Sequence, residues 1–382
     1  LDDRSAPPLR STLSEFIVDV IARFDWLLLL SVFGLMTMGW MILTGSTQAT
    51  PSLLGIPGKH LQFATAGVAI LLFVAVLDYR WINRLAMGAY VANMLALVAV
   101  LIIGSKINNA RSWIDFGPFN WQPSETMKIA TVLVCGQWLA LRPEDMSRWL
   151  GMVGPAVICG LPTLLILMQP DAGTAAVFFA IFLVMSLMAG AKLRWIATLG
   201  VSALLGLAAM FPFLSGYRRN RILTFLVPTQ VDSSSVGYHV TQSKIAIGSG
   251  GWFGQGWGEG TQTTYRFLPE HHTDFIFASA IEQFGVVGGL LILGAYLLIF
   301  WRMIRAIEGA RDRFGGLVVA GLFAIILAHV SENVGMTMGL VPVTGIPLPL
   351  LSYGGSFLIT TCLLFGIVLN VAGRRFTFIR GG

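Results

Sequence analysis

Charge is what this sequence has least of. Asp, Glu, Lys and Arg together make up 12% of its 382 residues, against about 25% in soluble globular domains. Hydrophobic residues make up 55%, arranged in long runs, so the chain is expected to cross a bilayer repeatedly. It also lacks any basic block, so its net charge of +6 does not mark a nucleic-acid partner. Cysteine is nearly absent. Cys135, Cys159 and Cys362 all fall in apolar segments, which argues against a disulfide framework or a zinc site and leaves three small core hydrophobes. No cleaved leader pattern is visible. No internal repeat is visible either, which counts against an inverted-repeat transporter. Glycine is plentiful at 43 residues, as in membrane helices.

The apolar runs divide into ten expected spans, near 25–44, 61–77, 85–103, 124–141, 151–168, 173–190, 195–214, 274–301, 316–333 and 352–372. Each is close to the ~20 residues that a bilayer core requires. An all-α, polytopic membrane fold follows, with one large extracytoplasmic loop at 215–273 and a membrane domain over 25–372. Loop charge sets the orientation. The segments on the side of the termini hold 16 Lys/Arg in 66 residues, and those on the other side hold 8 in 117. By the positive-inside rule both termini are cytoplasmic. Residues 1–24 contain "TLSEFIVDVIARF", whose apolar stripe predicts an amphipathic helix on the cytoplasmic interface, and 373–382 form a basic cytoplasmic tail.

The stretch "FLPEHHTDFIFA" places Glu270, His271, His272 and Asp274 at the mouth of the eighth span. Three readings stay open here. Adjacent histidines without an HExxH spacing are a weak metal site. Thr273 as N-cap and Asp274 in the first turn make a good helix start. A carboxylate at the border of water and lipid can also serve as a general base. Glu282 lies deeper and should face protein or water. In "QPSETMK", Pro123 starts a helix and Glu125 suits its first turn, but Lys128 lies about one turn inside the span. A lysine at that depth is a functional candidate, with Glu125 three residues away as its partner. Asp171 in "QPDAGT" fits an N-cap. "GSGGWFGQGWGEG" lacks the strand–loop–helix context of a nucleotide site, so any phosphate reading of it is weak. "VPVTGIPLPLLSYGGS" reads as non-helical backbone at the membrane border.

Taken in order, "QPSE..K", "QPDAGT", "RRNRI..FL.P", "GYHVTQSKIAIGSGG..G.G", "FLPEHHTDFIFA" and "GIPLPLLSYGGS" resemble the SEDS family (shape, elongation, division and sporulation) over nearly all of residues 25–372. "KIAIGSGG", "GTQT" and "FLPEHHTDFIF" look more like its elongation (RodA) branch than its division (FtsW) branch. One departure is Gln283, where the family usually carries a second acid. The resemblance implies a glycosyltransferase that polymerises lipid II into peptidoglycan at the outer face of the cytoplasmic membrane during cell elongation. Asp274 matches the family's essential aspartate, and an inverting transfer needs one base and no covalent nucleophile. Charge on the leaving pyrophosphate then calls for cations, for which Lys128, Arg111, Arg218, Arg221 and Lys244 are candidates, with Glu125 and His272 beside them. A divalent cation, magnesium or manganese, carried by the pyrophosphate is compatible; no protein ligand set for one is visible. The implied partners are lipid II, a class B penicillin-binding protein and other elongation-complex membrane proteins. A lipid II flippase and a non-catalytic scaffold for the penicillin-binding protein remain as rival readings.

Overall fold

A computed structural model of the chain describes residues 24–48, 50–107, 110–117, 119–142, 146, 148–210 and 236–374. The helices are α1 (Trp26–Thr47), α2 (Ile56–Val76), α3 (Tyr79–Ile103), α4 (Pro123–Leu141), α5 (Val153–Met168), α6 (Ala172–Met188), α7 (Leu193–Met210), α8 (Val236–Ser249), α9 (Thr261–Thr264), α10 (Ile276–Glu308), α11 (Arg313–Met338) and α12 (Gly355–Gly373). Ten of these overlie the ten expected spans. Among the described residues, seven helical stretches are long and apolar enough to cross a membrane, and α6 is apolar but shorter. The expected interfacial helix at 1–24 and the basic tail lie almost entirely outside the described residues, as do Arg218 and Arg221.

Burial sorts the helices into centre and rim. In the apolar windows of α12 and α11, 83% and 72% of residues are buried, against 17% for α3. The rim helices are not under-packed. Leu85, Leu95 and Ile102 on α3 are more than half exposed, as side chains are when lipid is their solvent. Small residues let the central helices close up. A Cβ on Gly67 would meet Cys362 Sγ at 2.7 Å, and one on Gly366 would meet Leu71 O at 2.8 Å, so α2 and α12 pack backbone to backbone. All three cysteines are buried and unbridged.

Local chemistry explains several helix ends. Asp171 caps α6 as expected, accepting from Thr174 N at 2.9 Å and Thr174 Oγ1 at 2.8 Å. Asp25 caps α1 by accepting from Leu28 N at 3.1 Å. Its carboxylate also takes Arg302 in a bidentate pair, with Nε 2.9 Å from Oδ1 and an Nη 2.8 Å from Oδ2. That pair lies on α10 beyond the expected end of the eighth span. The helix runs on to Glu308, with Arg302 paired to Asp25 at the start of α1 and Arg305 3.6 Å from Glu308 on α10 itself.

Two departures from the sequence reading stand out. Residues 105–121 contain a small antiparallel sheet, β1 (Ser105–Ile107), β2 (Ala110–Asp115) and β3 (Asn120–Trp121), where a plain loop is expected. Its Trp and Ile residues favour extended backbone once a partner strand is adjacent. Within the described part of the large loop, 236–273, the chain forms α8 and α9, two helices that hydropathy does not mark as spans.

The glycine-rich stretch after α8 has a structural explanation. Helix α10 is broken at Gly285 (φ 70, ψ −172). Across the break, Val286 N and Val287 N donate to Gly251 O and Trp252 O, while Glu282 O and Gln283 O accept from Gln255 N and Gly256 N. The loop backbone supplies the partners that the helix loses, and only glycine permits so close an approach. Glu282 faces protein as expected, with Oε1 accepting from Gln262 N at 2.6 Å. A Cβ on Gly285 would stand 2.3 Å from Trp252 O. Gly285→Ala is therefore expected to destabilise the protein by about 2–3 kcal/mol or more. Gly294→Ala, on the same helix with nothing within 4 Å of its Cβ, should be neutral or slightly stabilising. Thermal unfolding in detergent checks both.

Candidate active site

The site is built from the turn before α10, the middle of α11 and the proline-rich segment before α12. Glu270 adopts φ 51, and its carbonyl gathers the N–H groups of Thr273, Asp274 and Phe275 at 3.1–3.2 Å. The Thr273 hydroxyl is donated to Glu270 Oε2 at 3.1 Å. Helix α10 then starts at Ile276, with Phe275 in the N-cap position and no side-chain cap. The expected helix start is thus corrected. Thr273 is not the cap and Asp274 is not in the first turn, because the left-handed Glu270 closes a turn that uses both residues first.

Three consecutive carbonyls of this turn are held from outside. His272 O accepts from Tyr353 N at 2.9 Å, Thr273 O from Ser352 Oγ at 2.6 Å, and Asp274 O from Asn333 Nδ2 at 2.8 Å. Asn333 Nδ2 also donates to Ile346 O at 2.7 Å. The backbone of Asp274 is therefore fixed by α11 and by residues 346–353 together. Its carboxylate points towards Gly345 (φ +77), where an added Cβ would lie 3.3 Å from Oδ2. The proline segment itself is non-helical, as expected. Pro342, Pro347 and Pro349 leave fewer backbone donors to satisfy there.

A second cluster lies within the bundle. Lys128 is 1% exposed and Glu125 4%, and Lys128 Nζ lies 2.8 Å from Glu125 Oε2. The predicted partner is the observed one. Nζ is also 2.8 Å from His329 Nε2, and His329 Nδ1 is 3.2 Å from Pro347 O. An ammonium can only donate, so Nε2 accepts and the Nδ1–H is given to Pro347. Phe357 closes the cluster, with its ring centre 5.7 Å from Nζ. A cavity of about 10 Å³ remains beside Lys128, Glu125 and His329, roughly the room that one water needs. Glu332, one turn along α11, accepts from the Thr344 hydroxyl at 3.2 Å. Gln122 Nε2 reaches Asp171 Oδ2 at 3.4 Å.

His329, Glu332 and Asn333 were not singled out by sequence reading. The signal was there: in "AHVSENV" three polar residues at i, i+3 and i+4 share one face of an otherwise apolar helix. Together His329 and Asn333 tie the Lys128 cluster to Asp274 through the backbone of Ile346 and Pro347. The remaining candidates sit elsewhere. Lys244 is exposed, and its Nζ lies over Gly339 at the C-terminal end of α11, where a cation suits the helix dipole. Arg111 is exposed on β2 and turns back to Leu101 O at 3.5 Å.

His271 and His272 meet edge to face, with centres 5.3 Å apart, and His272 lies 6.3 Å from the Tyr353 ring. His271 Nδ1–H donates to Leu268 O at 3.0 Å. Burial, and then the neighbouring His272, pushes the His271 imidazole down to about 4. Burial also lowers His272, with Glu270 opposing. The folded His271 resists protonation while the unfolded chain takes it up near 6.5. Its stability contribution is complete above pH 6.5 and is lost as pH falls towards 4, amounting to about 3 kcal/mol at most. The melting temperature of the wild type should therefore fall more steeply over that window than that of His271→Asn. Parallel curves would remove this role.

Residues 22–376 match the sequence profile of the FtsW, RodA and SpoVE family, described as cell cycle proteins. The chain belongs to that family. This SEDS chain is 33% identical to the peptidoglycan glycosyltransferase RodA of Treponema pallidum (strain Nichols), over 93% of this chain and 99% of that protein. It is 37% identical to the peptidoglycan glycosyltransferase MrdB of Escherichia coli (strain K12), over 84% of this chain and 87% of that protein. Among solved structures it resembles a chain reported under the structural coordination of polymerization and crosslinking by a peptidoglycan synthase complex, with TM-score 0.80 and 29% identity over 93% and 99% of the two chains. As a SEDS protein it is a polytopic, multi-pass membrane protein.

Proposed function

We propose that this SEDS protein is a peptidoglycan glycosyltransferase that polymerises lipid II at the outer face of the cytoplasmic membrane, with Asp274 as general base and both termini cytoplasmic. The observation that carries the proposal is the fixing of Asp274. Three clamped carbonyls at the mouth of α10 hold its backbone. Pre-organisation of this kind is what a base needs if it is to meet a reacting hydroxyl without reorganising. Family membership and the names of the relatives support the activity.

In this reading an acceptor hydroxyl gives its proton to the Asp274 carboxylate as its oxygen attacks the anomeric carbon of the donor sugar. The bond from that carbon to the pyrophosphate oxygen breaks on the opposite face, so the linkage inverts. Charge builds on the departing pyrophosphate and is met by cations. Lys128, held by Glu125 and His329, is the buried candidate. Arg111 and Lys244 are exposed candidates for the headgroup phosphates, and Arg218 and Arg221 share that role on sequence grounds. His272 adds a ring beside the base. Among the described residues no three His, Cys, Asp or Glu side chains gather as a metal site. A magnesium or manganese ion carried in on the substrate's own pyrophosphate is compatible with that arrangement. A class B penicillin-binding protein is the proposed partner, which crosslinks the strands, in cell elongation.

Purified wild-type protein, supplied with lipid II in detergent, should form glycan polymer, more so with its partner present. A flippase has no membrane to work across in detergent and would form none, and neither would a scaffold.

A further inference from the structure

At the opposite end of the bundle from Asp274 lies a pocket of about 510 Å³ that none of this chemistry uses. It is lined by Arg80, Arg84 and Asn83 on α3, Arg311 and Asp312 before α11, and Arg374 at the end of α12. Three segments far apart in sequence thus bring four guanidinium groups to one cavity. Asp312 is the acid among the lining residues, and it is already engaged. Its Oδ1 accepts from Gly315 N at 2.7 Å and from the Tyr79 hydroxyl at 3.2 Å. Arg374 is braced in place, donating to Asn370 Oδ1 at 3.1 Å and Leu77 O at 3.2 Å, with its guanidinium 5.3 Å from the Tyr79 ring centre. Arg80 and Arg84 are exposed.

We propose that this pocket binds the phosphate of an anionic phospholipid headgroup. Topology accounts for positive charge at this end of the bundle, but it does not require four arginines in one cavity. Planar guanidinium groups suit phosphate oxygens better than a diffuse lysine field would. The flank of the pocket suits the rest of a lipid. Trp81 and Leu85, one turn apart beside Arg80 and Arg84, are 51% and 58% exposed. They offer an interfacial ring and an apolar surface on which acyl chains can lie. A basic pocket between membrane helices is the recurring form of such sites. The inference does not depend on Asp274 chemistry. It rests on the proposed orientation only in assigning the pocket to the inner leaflet.

The test uses the purified full chain in detergent. Short-chain phosphatidylglycerol, phosphatidylcholine and inorganic phosphate are titrated separately, and lipid occupancy is read by native mass spectrometry. The variant Arg80→Gln/Arg84→Gln/Arg311→Gln leaves the bracing Arg374 untouched. It should bind phosphatidylglycerol on the order of 100-fold more weakly than wild type, and Arg84→Gln alone about fivefold more weakly. The single variant decides the matter if the triple one does not fold. A control, Arg148→Gln/Lys192→Gln/Arg194→Gln, removes the same charge outside the pocket. Two of its residues, Lys192 and Arg194, follow the turn at this end, where Arg313 donates to Ala189 O at 3.1 Å. It should bind like wild type. Equal weakening in the two triples, or none in the pocket variants, would overturn the proposal. Inorganic phosphate displacing the lipid at matched concentration would make the free ion the ligand and would also overturn it.

Discussion

Lys128→Met should cost this protein about 3–5 kcal/mol of stability, because it strands a buried carboxylate. Glu125 is 4% exposed and lies 2.8 Å from the ammonium that the substitution removes. His329 loses its donor in the same step. The double variant Glu125→Gln/Lys128→Met tests the cause. A neutral amide needs no counter-charge, so the double variant should recover part of the stability, which a double-mutant cycle measures. If Lys128 meets the pyrophosphate as proposed, polymerisation should remain low in both, since neither restores the cation. A double variant as unstable as the single one would mean that packing, not charge, sets the cost. One that is stable and fully active would remove Lys128 from the site.

Asp274→Asn carries the largest expected effect on rate. A general base contributes typically about 10²–10⁴-fold, so polymerisation should fall by at least about 100-fold. The fold should survive, because the contacts that hold this turn use the carbonyls of residues 272–274, which the substitution leaves in place. The new amide is nearly isosteric with the carboxylate it replaces and faces Gly345, which has no side chain. Loss of activity with unchanged melting is therefore the signature expected of a base. Asn333→Ala would give another pattern. It removes the donor to Asp274 O and Ile346 O, so stability and rate should fall together.

The parts of this protein legible in its sequence are those fixed by short-range physics. Hydropathy placed the ten spans because lipid demands about 20 apolar residues wherever a helix crosses it. The Asp171 cap and the Glu125–Lys128 pair were readable because their partners lie three residues away. Contacts between distant segments were not readable. Lys128 and His329 are 201 residues apart in sequence, and a lone histidine in an apolar helix looks the same whether it fills the core or holds a lysine. The break at Gly285 was hidden for a similar reason. Its broken hydrogen bonds are made good by a loop some thirty residues upstream, and helical propensity carries no trace of that loop. The turn at Glu270 misled in the opposite direction. Thr-Asp before an apolar run is a good local start signal, yet a left-handed residue just upstream delayed the helix to Ile276.

The most direct measurement is lipid II polymerisation in detergent by wild type and Asp274→Asn side by side, each first shown to melt at the same temperature. With Asp274 as base, the wild type lengthens glycan chains and the variant yields at most about one-hundredth of the product. Near-normal polymer from a folded Asp274→Asn protein would contradict the assignment.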